Sequence, residues 1–235
     1  MLSAAIVGVG PGLGAAIARR FAQQGLHVFC MARSAEYLEQ LAASINESGG
    51  SAAALVADVA DIASIEAAFA SISKEAHIDV LVYNASPPFR MAPFLSSSND
   101  DLVRALQLGC VGAAACARLV LPGMLERGHG AILYTGATGS LRGGKMLSTF
   151  SAGKFAGRAL IQSLAREFGP QGIHCAHVVV DGLIDTEHVR HLMPNADPAT
   201  MIKPDELSMV YWNLYKQPKS IWTQEVDVRP NVEKF

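Results

Sequence analysis

Four glycines near the start of the chain could bring backbone amides close to an anionic ligand. Gly8, Gly10, Gly12 and Gly14 follow a short apolar run and precede a stretch with helical periodicity. Amides at the start of a helix attract phosphate, and glycines leave room for it to approach. The spacing Gly8-x-x-x-Gly12-x-Gly14, with Leu13 where the commonest pattern has glycine, predicts binding of a dinucleotide pyrophosphate. A tight turn kept for packing alone is the alternative.

The end of the second predicted strand indicates which dinucleotide is bound. Proteins that use NAD usually place an acid there, which binds the ribose 2′-hydroxyl. This chain has Ala32, Arg33 and Ser34 instead. An arginine and a hydroxyl suit a 2′-phosphate, which an acid would repel. We therefore expect NADP(H) rather than NAD(H), although Arg33 could also be an ordinary surface cation.

Strand-like and helix-like segments alternate from the first residues onward, and they must position these groups. Such alternation, with apolar strands, is typical of a parallel sheet covered by helices on both faces. The pattern predicts an α/β fold with one Rossmann domain over residues 1–235, in which about seven strands form a doubly wound sheet. The predicted strands are residues 4–9, 27–32, 52–57, 78–83, 130–134, 173–180 and 222–228. The predicted helices include one that Ser34 caps, one that Asp61 caps, a long one from Ser98 to Arg127, and residues 151–168.

Several motifs in order make residues 4–186 resemble the short-chain dehydrogenase/reductase family. The glycine turn is similar to the family's TGxxxGxG, with Val7 in place of threonine. Asp58-Val59 and Asn84-Ala85-Ser86 resemble two further motifs, and Ser86 replaces a glycine. Asp181-Gly182 resembles the family's Pro-Gly, with aspartate in place of proline. The resemblance implies that the cofactor is bound by Gly8, Gly12, Leu13, Gly14, Arg33, Ser34, Asp58, Val59, Asn84, Ala85, Lys154, Gly182, Ile184 and Thr186.

The family's catalytic groups are serine, asparagine and a Tyr-x-x-x-Lys pair, and here three of them have changed. Phe150 stands in the tyrosine position, Ala137 in the serine position and Gly109 in the asparagine position. Lys154 is retained, and its implied role is ribose binding. Phenylalanine has no proton to donate, and a positioned general acid typically contributes about 10²–10⁴ in rate.

Some other group is therefore expected to transfer the proton. We predict Lys154, Thr138 and Asp181 as catalytic residues, because Thr138 adjoins the serine position and Asp181 lies close to where the nicotinamide should bind. Asp181 could instead simply cap its turn. The remaining hydroxyl, acid and imidazole candidates are Ser148, Thr149, Ser151, Asp185, His188 and His191.

Composition limits the kinds of partner that the chain is expected to bind. A formal net charge of −2 gives no broad basic field for nucleic acid or an anionic membrane. The histidines lack metal-ligand spacing, so no metal is expected. Four cysteines without a CxxC pair suggest buried thiols in a reducing compartment, so we expect a cytoplasmic protein. The family resemblance implies a homodimer or homotetramer.

An apolar segment over about residues 187–215 is expected to form a lid, and it suggests a small, apolar substrate. The sequence thus predicts an NADP(H)-dependent oxidoreductase acting on a small carbonyl or alcohol with an altered catalytic tetrad. A non-redox enzyme on the same scaffold and an NADP(H)-binding protein without turnover are the alternatives. Both alternatives are motivated by the loss of the family's catalytic residues at positions 109, 137 and 150.

Overall fold

The computed structural model describes residues 1–233, and a seven-stranded parallel sheet forms its centre. The strand order is β3-β2-β1-β4-β5-β6-β7. This confirms the predicted Rossmann fold with a doubly wound sheet. The strands are β1 Ser3–Val7, β2 His27–Ala32, β3 Ser51–Val56, β4 Val80–Tyr83, β5 Gly130–Thr135, β6 Ile173–Val180 and β7 Glu225–Val228.

Two hydrophobic cores lie on opposite faces of the sheet. Alternate residues of β1 show why: Ala4 and Ile6 pack into one core, and Ala5 and Val7 into the other. Strands buried on both faces are mostly apolar, and all eight residues of β6 are buried, among them His174 and His177. The helices that cover the faces are α1 Leu13–Gln23, α2 Ala35–Glu47, α3 Ile62–Ile72, α4 Asn99–Leu106, α5 Gly112–Arg127, α6 Ser148–Phe168, α7 Glu187–Leu192 and α8 Pro204–Tyr215.

The long helix predicted from Ser98 to Arg127 contains an irregular turn. A π-helical turn, Gln107–Val111, separates α4 from α5. The predicted capping box is present, because Ser98 and Asp101 satisfy each other's backbone amides. By length and composition this helical run, residues 99–127, could cross a membrane, but 56% of its most apolar window is buried inside the protein.

Most other boundaries differ from the predictions by a few residues. β1 ends at Val7 because Gly8, with φ +89°, turns the chain out of the sheet. The helix expected to start at residue 151 begins at Ser148. Asp61 caps α3 as predicted, whereas Ser34 occupies the N-cap position of α2 without a side-chain hydrogen bond to the helix.

The segment predicted as a lid divides into two parts. Its second half, α8, packs against α1 and buries Leu207, Tyr211 and Leu214 in the core. Tyr211 is fully buried, and its hydroxyl bonds the Thr135 hydroxyl at 2.7 Å. α8 is therefore part of the scaffold, and only the part before it remains exposed enough to cover a ligand.

Candidate active site

The glycine turn lies between β1 and α1, at the carboxyl edge of the sheet. The amides of Gly8 and Val9 donate to the Met31 carbonyl of β2 at 2.9 and 3.1 Å. Within the described residues, the amides of Gly12, Leu13 and Gly14 have no protein acceptor. Free amides at a helix start are the donors that a pyrophosphate requires, so the turn fits a dinucleotide.

Close packing explains two of these glycines. A Cβ on Gly14 would lie 2.7 Å from the Gly8 carbonyl oxygen, and a Cβ on Gly8 would lie 2.7 Å from the Ala85 Cα atom. Asn84 holds the same turn from β4, since its side-chain amide donates to the Gly8 carbonyl at 2.9 Å. The structure thus brings the glycine turn and the Asn84-Ala85 motif together.

The residues expected around the adenosine half also lie at this edge. Arg33 and Ser34 follow β2 and are exposed. Among the described residues the Arg33 side chain has no hydrogen bond or ion pair. Asp58 is half-buried after β3, and one of its carboxylate oxygens accepts from the Ala60 amide at 2.9 Å. Val59 follows it, and its carbonyl lies against Gly112 of α5.

The chain after β6 crosses over the glycine turn. Gly182 adopts φ +156°, and Ile184 forms a parallel bridge with Ile202. The Thr186 methyl would lie 2.7 Å from a Cβ on Gly12, so this threonine reaches the glycine turn. Its hydroxyl caps α7 by accepting from the Val189 amide at 3.2 Å.

Three acid–base candidates of this segment do not enter the cleft as free groups. Asp185 accepts from Arg190 at 2.5 Å and from Lys203 at 2.7 Å. These cations hold the pKa of the Asp185 carboxyl well below its usual range. His188 and His191 lie on the exposed α7 helix. The ion pair between Asp185 and Lys203 therefore connects the segment around Ile202 to the chain after β6.

Lys154 lies one helical turn after Phe150 on α6 and is deeply buried. Its side chain is 2% exposed and its ammonium group donates to the Thr135 carbonyl at 2.9 Å. Burial lowers the pKa of Lys154 to about 7, because little solvent is left to stabilise the charge. The ammonium group has donors in reserve for a ribose hydroxyl, which agrees with its expected role.

The Phe150 ring occupies the tyrosine position as a packed, apolar group. A Cβ on Gly139 would lie 2.8 Å from the ring, and the Phe89 ring meets it edge-on with centroids 5.3 Å apart. The neighbouring Ser151 hydroxyl is buried and has no hydrogen-bond partner within the described residues. Phe150 thus places a buried apolar ring where the family has its tyrosine.

The asparagine position cannot hold a side chain. A Cβ on Gly109 would lie 2.7 Å from the Gly153 carbonyl carbon of α6. The Gly109 carbonyl instead accepts from the buried Tyr134 hydroxyl at 2.7 Å. Tyr83 makes an equivalent bond to the Leu108 carbonyl at 2.6 Å, so both strand tyrosines support the core.

Thr138 and Asp181 meet across the ends of β5 and β6. The Thr138 hydroxyl donates to one Asp181 carboxylate oxygen, and the Arg229 guanidinium lies 3.3 Å from the other. Asp181 is 7% exposed and Thr138 is half-buried. Because the threonine hydroxyl donates its hydrogen to the hydrogen bond with Asp181, the lone pairs of the Thr138 oxygen remain available to accept from a substrate hydroxyl.

The sequence pattern did not identify a second polar cluster behind the site. His177 of β6 is fully buried, and its Nδ1 atom lies 2.8 Å from a Glu225 carboxylate oxygen. Arg158 binds the same carboxylate in a bidentate manner at 2.6 and 2.8 Å. Arg158 lies four residues after Lys154 on α6, so the two side chains share one face of the helix. This spacing was the sequence signal that could have indicated a polar cluster near Lys154. Arg229, the partner of Asp181, had no comparable signal.

Metal and thiol chemistry have no support among residues 1–233. No group of three histidine, cysteine or acidic side chains there is arranged to hold a metal ion. All four cysteines are free; Cys30, Cys116 and Cys175 are buried, and Cys110, expected to be buried, is half-buried. Burial raises the pKa of the three buried thiols to about 12, which makes them poor nucleophiles.

The sequence matches the family described as short chain dehydrogenase over residues 3–197. It is 29% identical over 222 residues to the fatty acyl-CoA reductase of Acinetobacter baylyi, which covers 94% of this chain and 75% of that protein. It is 32% identical over 198 residues to the oxidoreductase UcpA of Escherichia coli K12, covering 83% of this chain and 74% of that one.

Solved structures agree with the sequence relatives. A short-chain dehydrogenase from Rhodopseudomonas palustris has a TM-score of 0.85 at 32% identity, covering 97% of this chain and 98% of that one. A gluconate 5-dehydrogenase from Burkholderia cenocepacia, in complex with NADP and tartrate, has a TM-score of 0.87 at 26% identity, covering 97% and 93%. The chain belongs to the short-chain dehydrogenase family and is an NAD(P)-dependent oxidoreductase.

Proposed function

We propose that this protein is an NADP(H)-dependent oxidoreductase that interconverts an apolar alcohol and its carbonyl compound, with Thr138 and Asp181 transferring the proton. The hydrogen bond from the Thr138 hydroxyl to Asp181 carries this proposal. It supplies a proton path beside Phe150, where the family's tyrosine is missing. Among the candidate replacements, this pair alone joins a hydroxyl beside the serine position to a carboxylate.

The proposed proton transfer follows from the direction of that hydrogen bond. The Thr138 oxygen accepts the substrate hydroxyl and takes its proton, while the threonine's own proton passes to Asp181. When bound, the nicotinamide supplies the hydride acceptor in oxidation and the hydride donor in reduction. Reduction uses the same path in reverse, with Asp181 returning its proton through Thr138. Lys154, which lies one turn after Phe150 on α6, binds the ribose.

A preference for NADP(H) over NAD(H) rests on the end of β2. Arg33 and Ser34 are exposed there and Arg33 is unpaired within residues 1–233, and neither of these two residues is an acid. A guanidinium group stabilises a 2′-phosphate by charge-assisted hydrogen bonds. The NADP in the related gluconate 5-dehydrogenase is consistent with this preference.

An apolar substrate fits the walls of the cleft. The Phe89 ring packs against Phe150 and is still 59% exposed, as is Met91. Large apolar side chains left open beside a site commonly contact a ligand. The name of the Acinetobacter relative points to fatty acyl groups, which agrees with an apolar substrate. We propose that α7 and the residues up to α8 form the lid.

Self-association and location are further parts of this proposal. Val111, Leu119 and Phe155 are 41%, 41% and 39% exposed on the π-helical turn, α5 and α6. Burial of these side chains against a second copy favours a homodimer or homotetramer. The free cysteines favour a cytoplasmic location, and the net charge of −2 favours neither nucleic acid nor membrane as a partner.

The proposal is tested by following NADP⁺ reduction with a series of aliphatic alcohols and NADPH oxidation with the matching aldehydes. We expect turnover by the wild type and a roughly hundredfold loss of kcat in Asp181→Asn, with unchanged NADPH affinity. Asp227→Asn is the matched control, because Asp227 also pairs with Arg229 but does not contact Thr138. Equal losses in both variants would assign Asp181 a structural role.

A further inference from the structure

Two loops beside the cleft are linked and carry cations without acids. One loop, residues 86–98, follows β4, and the other, residues 141–147, connects Thr138 to α6. The Ala92 amide donates to the Met146 carbonyl at 2.9 Å and joins them. Their charged residues are Arg90, Arg142 and Lys145. This local excess of three positive charges contrasts with the formal charge of −2 for the whole chain.

The second loop begins close to the proposed proton path. The Arg142 amide donates to the Thr138 carbonyl at 3.1 Å, so Arg142 is one helical turn from the reacting hydroxyl. Lys145 precedes Met146, the one non-glycine residue among those described with a positive φ, at +65°. Such strain is often retained where a backbone must hold a functional geometry.

Neither cation has a partner among residues 1–233. The side chains of Arg142 and Lys145 are exposed and form no hydrogen bond or ion pair within the described residues. The pKa of Asp101 is lowered mainly by the hydrogen bonds from Ser98, and Arg90 adds a smaller electrostatic contribution, so Arg90 already has an acid near it. The two loop cations are therefore free to bind an anion that approaches the cleft.

We propose that Arg142 and Lys145 bind a carboxylate of the substrate, so that the preferred substrate is an apolar hydroxy or oxo acid. This inference rests on the proposed function, which places the reacting carbon at Thr138. The hydroxyl lies at Thr138, the aliphatic part lies along Phe89 and Phe150, and the carboxylate lies at the loop. A neutral alcohol uses the first two contacts only.

The test uses hydroxy acids of increasing chain length and their methyl esters, which lack the negative charge of the acids. We expect the wild type to prefer the acid over its ester by about tenfold or more in kcat/KM, and the preference to weaken with added salt. In the double variant Arg142→Gln/Lys145→Gln the preference should disappear, because kcat/KM should fall for the acid and stay the same for the ester. The variant Arg142→Lys/Lys145→Arg should restore most of it.

Lys74→Gln removes an exposed cation at the end of α3 and serves as the control. A preference for the acid that survives in the double variant, or equal losses for acid and ester, would overturn the inference. Calorimetry on NADP⁺-loaded protein tests the carboxylate site independently of the proposed function, because it measures binding and not turnover. Tighter binding of the acid than of the ester, lost in the double variant, would support the carboxylate site even without turnover. Equal binding of acid and ester would reject it.

Discussion

The Thr138 hydroxyl donates a hydrogen bond to the carboxylate of Asp181, although the two residues are 43 positions apart in the chain. Thr138 follows β5 and Asp181 follows β6, and these neighbouring strands are parallel. Their carboxyl ends therefore meet at one edge of the sheet, which is where ligands bind in open α/β folds. An aspartate in place of the family's proline gives the threonine hydroxyl a hydrogen-bond acceptor.

Removal of the Thr138 hydroxyl should slow proton transfer without weakening cofactor binding. Thr138→Val keeps the shape of the side chain, and we expect kcat to fall roughly tenfold to hundredfold, within the range for a lost proton-transfer group. Steady-state kinetics and NADPH titration measure the two effects. Thr149→Val is the control, because Thr149 is half-buried next to Phe150 and its side chain is unbonded within the described residues. A larger effect of the control would assign the chemistry to that hydroxyl.

Loss of the Arg33 charge should change the choice of cofactor. In Arg33→Gln we expect NADPH to bind about tenfold to hundredfold more weakly, since a hydrogen bond to a charged group contributes about 1.5–3 kcal/mol. NADH affinity should stay the same, because NADH carries no 2′-phosphate. Titration calorimetry gives both constants. Arg166→Gln, on an exposed part of α6, should change neither, and a parallel loss of both affinities would contradict the assignment of Arg33.

The buried Lys154 makes the stability of the protein depend on pH. Its pKa is lowered to about 7 in the folded state, whereas an unfolded lysine keeps a value near 10.4. Between these values the unfolded chain binds more protons, so the free energy of unfolding rises with pH, by about 1 kcal/mol per pH unit. Below pH 7 both states are protonated and this dependence ends.

Lys154→Met isolates that contribution. We expect the difference in unfolding free energy, wild type minus variant, to increase from pH 7 towards pH 10 in urea titrations without cofactor. Other titrating groups cancel in the difference. A difference that stays constant over this range would show that Lys154 keeps an ordinary pKa.

Gly109 should tolerate no side chain, so the family's asparagine cannot be restored by one substitution. In Gly109→Ala the new Cβ would meet the backbone of Gly153, and we expect a loss of about 1–3 kcal/mol in unfolding free energy. Chemical unfolding measures it. Gly169→Ala is the control, since it has φ −55° and open space around its Cβ position. Similar stability of both variants would show that α6 can move away from the π-helical turn.

Local patterns were sufficient for the strands, most helices and the cofactor turn. The limits of β2 and β6 coincide with the predicted ranges, because each is an apolar run with polar or glycine residues at its ends. The helix limits were less certain near α6, where Leu147 and Ser148 continue the chain without a strong start signal. The role of α8 could not be predicted, because apolar residues occur both in lids and in cores.

The sequence by itself determined the glycine turn at residues 8–14, the retained lysine and the missing tyrosine, since these depend on residue type and short spacing. Only the tertiary structure decided that Thr138 meets Asp181, that Lys154 is buried against Thr135, and that α8 belongs to the core. These contacts join segments far apart in the chain. They depend on strand order, register and helix packing, which no local pattern specifies.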